Sequence, residues 1–417
     1  MRIELPERGR DAQDVLQQLR AFKAGDADWT HGRVPLFVFK ADDALDDLGR
    51  SAFFEYFSEN ALGGGRAFPS VKRMEDELVQ MALGLFHAPA EARGFMSTGG
   101  TESIVQAVQT CRNWSRRQRG DAAHRGNLVL SETAHPAFDK AARLMDLPVR
   151  RVPVRPDLRM DLAAIDAAID ADTLLVVGSA PNFPYGVIDP IAELSALALR
   201  RGVWLHVDAC VGGYLAPFVR QIGRAIPEFD FTLPGVASLS ADLHKFGFCP
   251  KPASTVFYRD ADKAAQHGFD FDGWPNGRFV TNTLVGTRPA GGVAAAWATF
   301  QYLGAEGYRR IAAELMGFVD RYREGIAAIP GLKVLAEPQL SIVAWGSDEV
   351  DVFRVAEHMA ARGWLPGLLQ RPRAVHRMMS MIHAPSLAQY LADAADAVAA
   401  VRAEGAANAA SGLRATY

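Results

Sequence analysis

Residues 127–259 of this 417-residue chain alternate short apolar runs with helical patterns. That rhythm predicts an α/β protein built on a mostly parallel sheet with both faces covered. The runs NLVLS (127–131), TLLVVGSA (173–180), VWLHVDA (203–209), GVASLSA (235–241) and STVFYR (254–259) are continuously apolar, as strands buried on two faces must be. Helical stretches at Pro136–Leu147 and Ile191–Arg201 separate the earlier ones. From about Ala290 the pattern changes to a long helical run, followed by KVLAE, LSIVAWG and a helix near Asp351–Arg362. The organisation expected is an N-terminal arm over 1–60 packed on a large domain over 61–290. A connecting helix with a smaller C-terminal α/β domain then covers 291–417. The alanine-rich end, LADAADAVAAVRAEGAANAASGLRATY, suits a helix in its first half and reads as frayed over its last dozen residues.

Composition excludes several classes of function. Lys+Arg 45 against Asp+Glu 48 leaves a net charge of −3, which gives no electrostatic basis for binding nucleic acid or an anionic membrane. Cys111, Cys210 and Cys249 are scattered and form no CxxC pair, so neither a disulfide framework nor a zinc site is expected, and no other metal site is read. The start, MRIELPERGRDAQDV, lacks the apolar core of a signal peptide. No run of roughly 18 strongly apolar residues occurs, so no membrane span is expected. The reading is a soluble, cytoplasmic protein.

Three stretches carry chemistry. In GFMSTGGTESIVQAVQTCRNW, a glycine turn at Gly99–Gly100–Thr101 opens a helix, where backbone amides and the helix dipole can bind a phosphate. No GK[ST] follows, so it is not a P-loop, and an ordinary helix cap is the alternative. In VWLHVDACVGGYL, an apolar strand ends at Asp208, on the edge where open α/β sheets bind ligands. An aspartate there also suits a cap of the next helix. Cys210 beside it reads as a small core residue. The third stretch, SADLHKFGFCPK, holds two lysines six residues apart, Lys245 after His244 and Lys251 after Pro250. A desolvated lysine can lose its proton and condense with an aldehyde. Taken together, a glycine turn, a strand-end aspartate and a later strand-end lysine describe a pyridoxal phosphate site: one holds the phosphate, one keeps the pyridine nitrogen protonated, one bonds the aldehyde.

With AHPAFDKAARLM, PNFPYGVIDPI and GTRPAGG added, the chain from about Asn60 to His383 resembles the sphingosine-1-phosphate lyases of the group II pyridoxal-phosphate-dependent decarboxylase family. The resemblance implies the type I fold, pyridoxal 5′-phosphate as cofactor, and a homodimer with its site at the interface. By this resemblance Lys245 matches the Schiff-base lysine and Asp208 the partner of the pyridine nitrogen. His135 matches the histidine that stacks on the ring. Gly100 and Thr101 match the phosphate turn, with His244 near the same phosphate and Thr287 reaching it from the partner subunit. Asn182 falls near the ring's 3′-oxygen, where the lyases tend to have glutamine. Lys251 matches a lysine that handles substrate, the alternative being a solvated loop charge. Lys251 and Arg288 are the candidates for a substrate phosphate. Arg288 equally suits a structural carboxylate partner.

The activity implied is carbon–carbon cleavage of a phosphorylated long-chain amino alcohol, such as a phosphorylated sphingoid base, to a fatty aldehyde and phosphoethanolamine. An L-amino acid decarboxylase on the same scaffold is the rival, because the bond held perpendicular to the ring is the one that breaks. A catalytically silent binding protein of this fold is a third reading. An aminotransferase would need a carboxylate-binding arginine, for which RPRAVHR (371–377) is a weak candidate. The chain departs from the lyases in reading NALGGGRAFP where they carry a histidine and an aspartate, and LFVFKADD where they carry a tyrosine. It also lacks the N-terminal anchor of the eukaryotic lyases. A soluble microbial-type enzyme with an altered substrate entrance is the expectation.

Overall fold

The computed structural model describes residues 2–404 and 411–415. Seven strands form the main sheet: β1 (Arg93–Ser97), β2 (Asn127–Ser131), β3 (Val149–Val152), β4 (Thr173–Ser179), β5 (Trp204–Asp208), β6 (Val236–Ala241) and β7 (Ser254–Tyr258). Their order is β1-β7-β6-β5-β4-β2-β3. Only β7 runs against the rest, since it pairs antiparallel with both β6 and β1 while the other pairs are parallel. The expected parallel α/β sheet is therefore present.

All five strands read from the sequence lie in this sheet, and each is buried along its length. The two missed strands are the edges. β1 (RGFMS) and β3 (VRRV) keep exposed, partly charged positions, so neither shows an apolar run. Register then sets the site. Ser179 lies opposite Asp208, Asp208 opposite Ser240, Ala241 opposite Thr255, and Ser97 opposite Ser254. The carboxyl ends of β4, β5, β6 and β1 thus meet the start of β7 along one edge.

A long helix, Gly291–Ala327, follows, with a non-helical break at Gly304 (φ 53°). Beyond a small hairpin of β8 (Phe269–Phe271) and β9 (Phe279–Thr281), a second sheet comprises β10 (Lys333–Val334), β11 (Ile342–Gly346), β12 (Gly367–Gln370) and β13 (Arg373–Met378). Its pairs are all antiparallel. The segment weighed as a carboxylate-binding arginine motif is β13 itself. Arg377 is buried, donates to Gly32 O at 2.5 Å and lies over the rings of Trp364 and Tyr390, so it serves packing.

The first 60 residues pack on more than the main sheet. His383 Nε2 bonds Val34 O at 2.7 Å, Arg33 stacks over Trp364, and the ring of Phe39 meets Phe246 at 5.1 Å. The helix Asp43–Glu55 lies along the long helix, and the helix Ala12–Lys23 buries no residue. At the other end, the tail read as frayed includes Ser411, which bonds Glu357, and Gly412, whose amide bonds Glu357 at 3.0 Å. The rest of that tail, 406–410 and 416–417, lies outside the described residues. No helix among the described residues is long and apolar enough to cross a membrane.

The contact of the long helix with the helix Asp43–Glu55 depends on Gly291, where an added Cβ would sit 2.6 Å from Phe53 O. Backbone cannot yield as a side-chain tip does. Gly291→Val is expected to cost about 1–3 kcal/mol, read as a lower urea midpoint; an unchanged midpoint would show that this contact relaxes freely.

Candidate active site

Six of the residues singled out from the sequence converge on one cavity of about 390 Å³: Gly100, Thr101, His135, Asp208, His244 and Lys245. Asp208 enters from the end of β5, nearly buried, and its Oδ1 accepts the Cys210 amide at 3.1 Å. Lys245 and His244 come from the turn after β6. His135 opens the turn after β2, its Nδ1 accepting the Ala137 amide at 3.1 Å. Burial lowers the pKa of His135, the charge of Asp208 opposing this, so the ring is neutral at pH 7.

The residue that organises this cavity escaped the sequence reading. Asp242 is buried, and its Oδ2 lies 2.9 Å from Lys245 Nζ. Ser254 donates to its other oxygen at 2.5 Å. Ser254 Oγ in turn lies 3.0 Å from Ser103 Oγ, which lies 2.7 Å from Ser97 Oγ. This hydroxyl chain ties the carboxylate to the first turn of the helix Gly100–Arg119. Burial disfavours both charges, yet each supports the other: Lys245 is held above the ordinary lysine range and Asp242 below the ordinary carboxylate value. The clue was present in the spacing, because an acid three residues before a lysine shares one helical turn with it.

Above Asp242 sits the glycine turn. A Cβ on Gly100 would stand 2.8 and 2.9 Å from the two Asp242 oxygens and 2.9 Å from Cys210 Sγ, so only glycine closes here. The first helical bond runs from the Ser103 amide to Gly99 O, which leaves the amides of residues 100–102 ahead of the ladder. Gly99 supplies no side-chain cap. Glu102, also unremarked in the sequence, curls back so that one oxygen accepts the Thr98 amide (2.7 Å) and hydroxyl, while the other accepts the Leu284 amide at 2.7 Å.

The remaining sequence candidates lie outside the cavity lining. Asn182 is spent on its own turn, donating to Leu158 O (3.1 Å) and accepting the Tyr185 amide (3.1 Å); Ser179 and Phe183 line the cavity on that side. Arg288 is paired with Glu75 at 2.7 Å, the structural alternative weighed for it. Thr287 is exposed and accepts from Asn60 at 3.4 Å. Lys251 is exposed at the margin. Desolvation and the charge of Lys245 lower its pKa, and it forms no ion pair among the described residues.

The pattern described as the pyridoxal-dependent decarboxylase conserved domain matches residues 65–346. The chain belongs to that family. It is 37% identical over 411 residues to the sphingosine-1-phosphate lyase of Oryza sativa subsp. japonica, covering 97% of this chain and 75% of that one. The solved sphingosine-1-phosphate lyase of Burkholderia pseudomallei superposes with a TM-score of 0.92 at 37% identity, covering 97% of this chain and 94% of that one. A probable L-tyrosine/L-aspartate decarboxylase of Methanothermobacter thermautotrophicus is 32% identical over 340 residues, covering 81% of this chain and 89% of that one. The family member described here is a pyridoxal-phosphate-dependent lyase. Its cavity fits that cofactor. The amides ahead of the helix suit a phosphate, and His244 Nδ1, buried with no hydrogen-bond partner among the described residues, adds a polar atom beside the same turn. Among the described residues, no cluster of His, Cys, Asp or Glu could hold a metal ion.

Asp242→Asn removes the charge that keeps Lys245 protonated. In cofactor-free protein, labelling of Lys245 by an amine reagent, mapped by peptide mass, is expected to begin at lower pH than in the wild type. Stability at pH 7 should fall by about 3–5 kcal/mol, as when one partner of a buried pair is lost. Because Asp242 has a lowered folded pKa, that deficit should shrink as pH falls through it, where the wild-type carboxyl is protonated too. An unchanged labelling profile would show that Asp242 does not set the charge of Lys245.

Proposed function

We propose that the chain cleaves a phosphorylated long-chain amino alcohol between Cα and C3, releasing a fatty aldehyde and phosphoethanolamine. The observation that carries this reading is a pair of amines in different surroundings, one lining the cavity and the other outside that lining but close enough to feel the first one's charge. Lys245 lines the cavity and is held by Asp242, whereas Lys251 is exposed, its pKa lowered by partial desolvation of its amine and by the charge of Lys245. The likeness to sphingosine-1-phosphate lyases over most of the chain supports it.

Bound cofactor supplies an electron-withdrawing ring that accepts the charge developing at Cα. The chain's residues do the rest. Lys245 supplies the amine that carries the cofactor. Asp208 would face the pyridine nitrogen, and His135 would offer the ring an uncharged neighbour. Gly100, Thr101 and His244 would hold its phosphate. Lys251 meets the substrate, either as a cation toward its phosphate or, with its lowered pKa, as the base that takes the C3 hydroxyl proton. The enzyme acts as a homodimer with Thr287 reaching the partner's phosphate site, which accords with the exposure of Thr287 away from its own cavity. Three buried cysteines without disulfides suit a reducing compartment, the cytoplasm.

Amino acid decarboxylation is the second reading, favoured by the pairing of Arg288 with Glu75, which withdraws one cation from a substrate phosphate. Product analysis decides between them: aldehyde with phosphoethanolamine supports the lyase, and carbon dioxide without aldehyde rejects it. Lys245→Ala should lower kcat by at least ~10³-fold. If Lys251 acts as a phosphate cation, Lys251→Met should raise KM for a phosphorylated substrate about tenfold or more. The wild-type KM should then rise with pH as Lys251 loses its proton, below the ordinary lysine range, and stay flat in the variant. A fall in kcat at constant KM would instead assign Lys251 as the base.

A further inference from the structure

The strand β5 carries a histidine, His206, in the middle of the main sheet, fully buried in a run that is otherwise apolar up to Asp208. It lies outside the lining of the cofactor cavity and takes no part in the steps assigned to that cavity. Side chains alternate along a strand, so Trp204, His206 and Asp208 share one face. Register places Ser238 opposite His206 and Ser240 opposite Asp208 on that face. A buried imidazole costs stability unless its nitrogens are bonded, and here both are. Nδ1 lies 2.8 Å from Ser238 Oγ, and Nε2 lies 3.1 Å from Ser240 Oγ. The ring of Phe138 meets it edge-on, with centroids 5.7 Å apart.

The protons available fix the form the ring takes. The Trp204 indole can only donate, and it donates to Ser238 Oγ at 2.7 Å. The Ser238 hydroxyl hydrogen then has one acceptor among the described residues, His206 Nδ1. The ring's own proton therefore sits on Nε2 and is donated to Ser240. A further proton on Nδ1 would leave the Ser238 hydrogen buried without an acceptor. Desolvation acts in the same direction, pushing the pKa of His206 down to about 4 although the charge of Asp208 opposes it.

Beyond Ser240 the bonded series reaches the carboxylate. Ser240 Oγ is 3.3 Å from Cys210 Sγ, and the Cys210 amide donates to Asp208 Oδ1 at 3.1 Å. Lys245 is paired with Asp242, and Asp208 has no ion pair of its own among the described residues. We propose that His206 is a positioning residue for the cofactor ring: held neutral between Ser238 and Ser240, it fixes the aim of Asp208 through Ser240 and Cys210 and presents that carboxylate with no competing cation. The inference rests on Asp208 facing the pyridine nitrogen, and it holds for lyase and decarboxylase chemistry alike.

The test compares the Kd of cofactor-free protein for pyridoxal phosphate and for the analogue in which CH replaces the ring nitrogen. Only the first senses Asp208, so the ratio of the two constants reads that contact alone. His206→Leu, which removes both ring bonds, and Ser240→Ala, which breaks the link while keeping the histidine, should each shrink the preference for pyridoxal phosphate about tenfold. A purely structural role would weaken both ligands equally and leave the ratio unmoved, which overturns the proposal. His206→Gln, whose amide reproduces one acceptor and one donor, should restore most of the preference. In the wild type, nitrogen NMR of histidine-labelled protein should show His206 neutral at pH 7 with its proton on Nε2, and a doubly protonated ring there rejects the assignment even if no variant folds. Asp208→Asn should abolish the preference; if it does not, the placement of Asp208 itself fails, and the role of His206 with it.

Discussion

The buried ion pair between Asp242 and Lys245 is the constraint from which the site is built. A carboxylate taken out of water must be matched by hydrogen bonds and opposite charge. Here the match comes from Lys245, Ser254 and, at the longer range of 3.7 Å, His244. Those partners sit after β6 and at the start of β7, and the hydroxyl relay continues to the start of the helix Gly100–Arg119. Satisfying one charge therefore fixes the lysine, the histidine and the glycine turn relative to one another before any ligand arrives.

The sheet makes this arrangement possible. Parallel strands end on the same side, so residues far apart in the chain reach one edge without long loops. Asp208 and Lys245 come from successive strand ends, and the reversed β7 brings Ser254 back beneath them. Gly100 is then required by space rather than by flexibility, because the carboxylate occupies the volume a side chain would need.

Much of this was legible in the residues. Strands buried on both faces are read from unbroken apolar runs, and the chemical residues at their ends follow from the same runs. β1 and β3 were not legible because an edge strand meets water and carries no such run. Asp242 was only partly legible: its spacing from Lys245 is local, but Ser254 and Ser103, which complete its burial, are distant in the chain. Asn182 illustrates the opposite case. Its position beside the site is real, but its amide is consumed by a tight turn, a commitment that depends on Leu158 and Tyr185 rather than on local sequence. For Arg288, both readings are physically sound, and the ion pair with Glu75 supports the structural one.

Glu102 spans two regions with its two oxygens, the loop before the glycine turn and the backbone of Leu284. One helical turn further on, Gln106 grips Asn282 O at 2.9 Å. The helix that begins at the cofactor cavity is thereby splinted to the surface segment leading to Thr287. The phosphate turn therefore opens a helix whose first two turns are already anchored to that segment by two side chains.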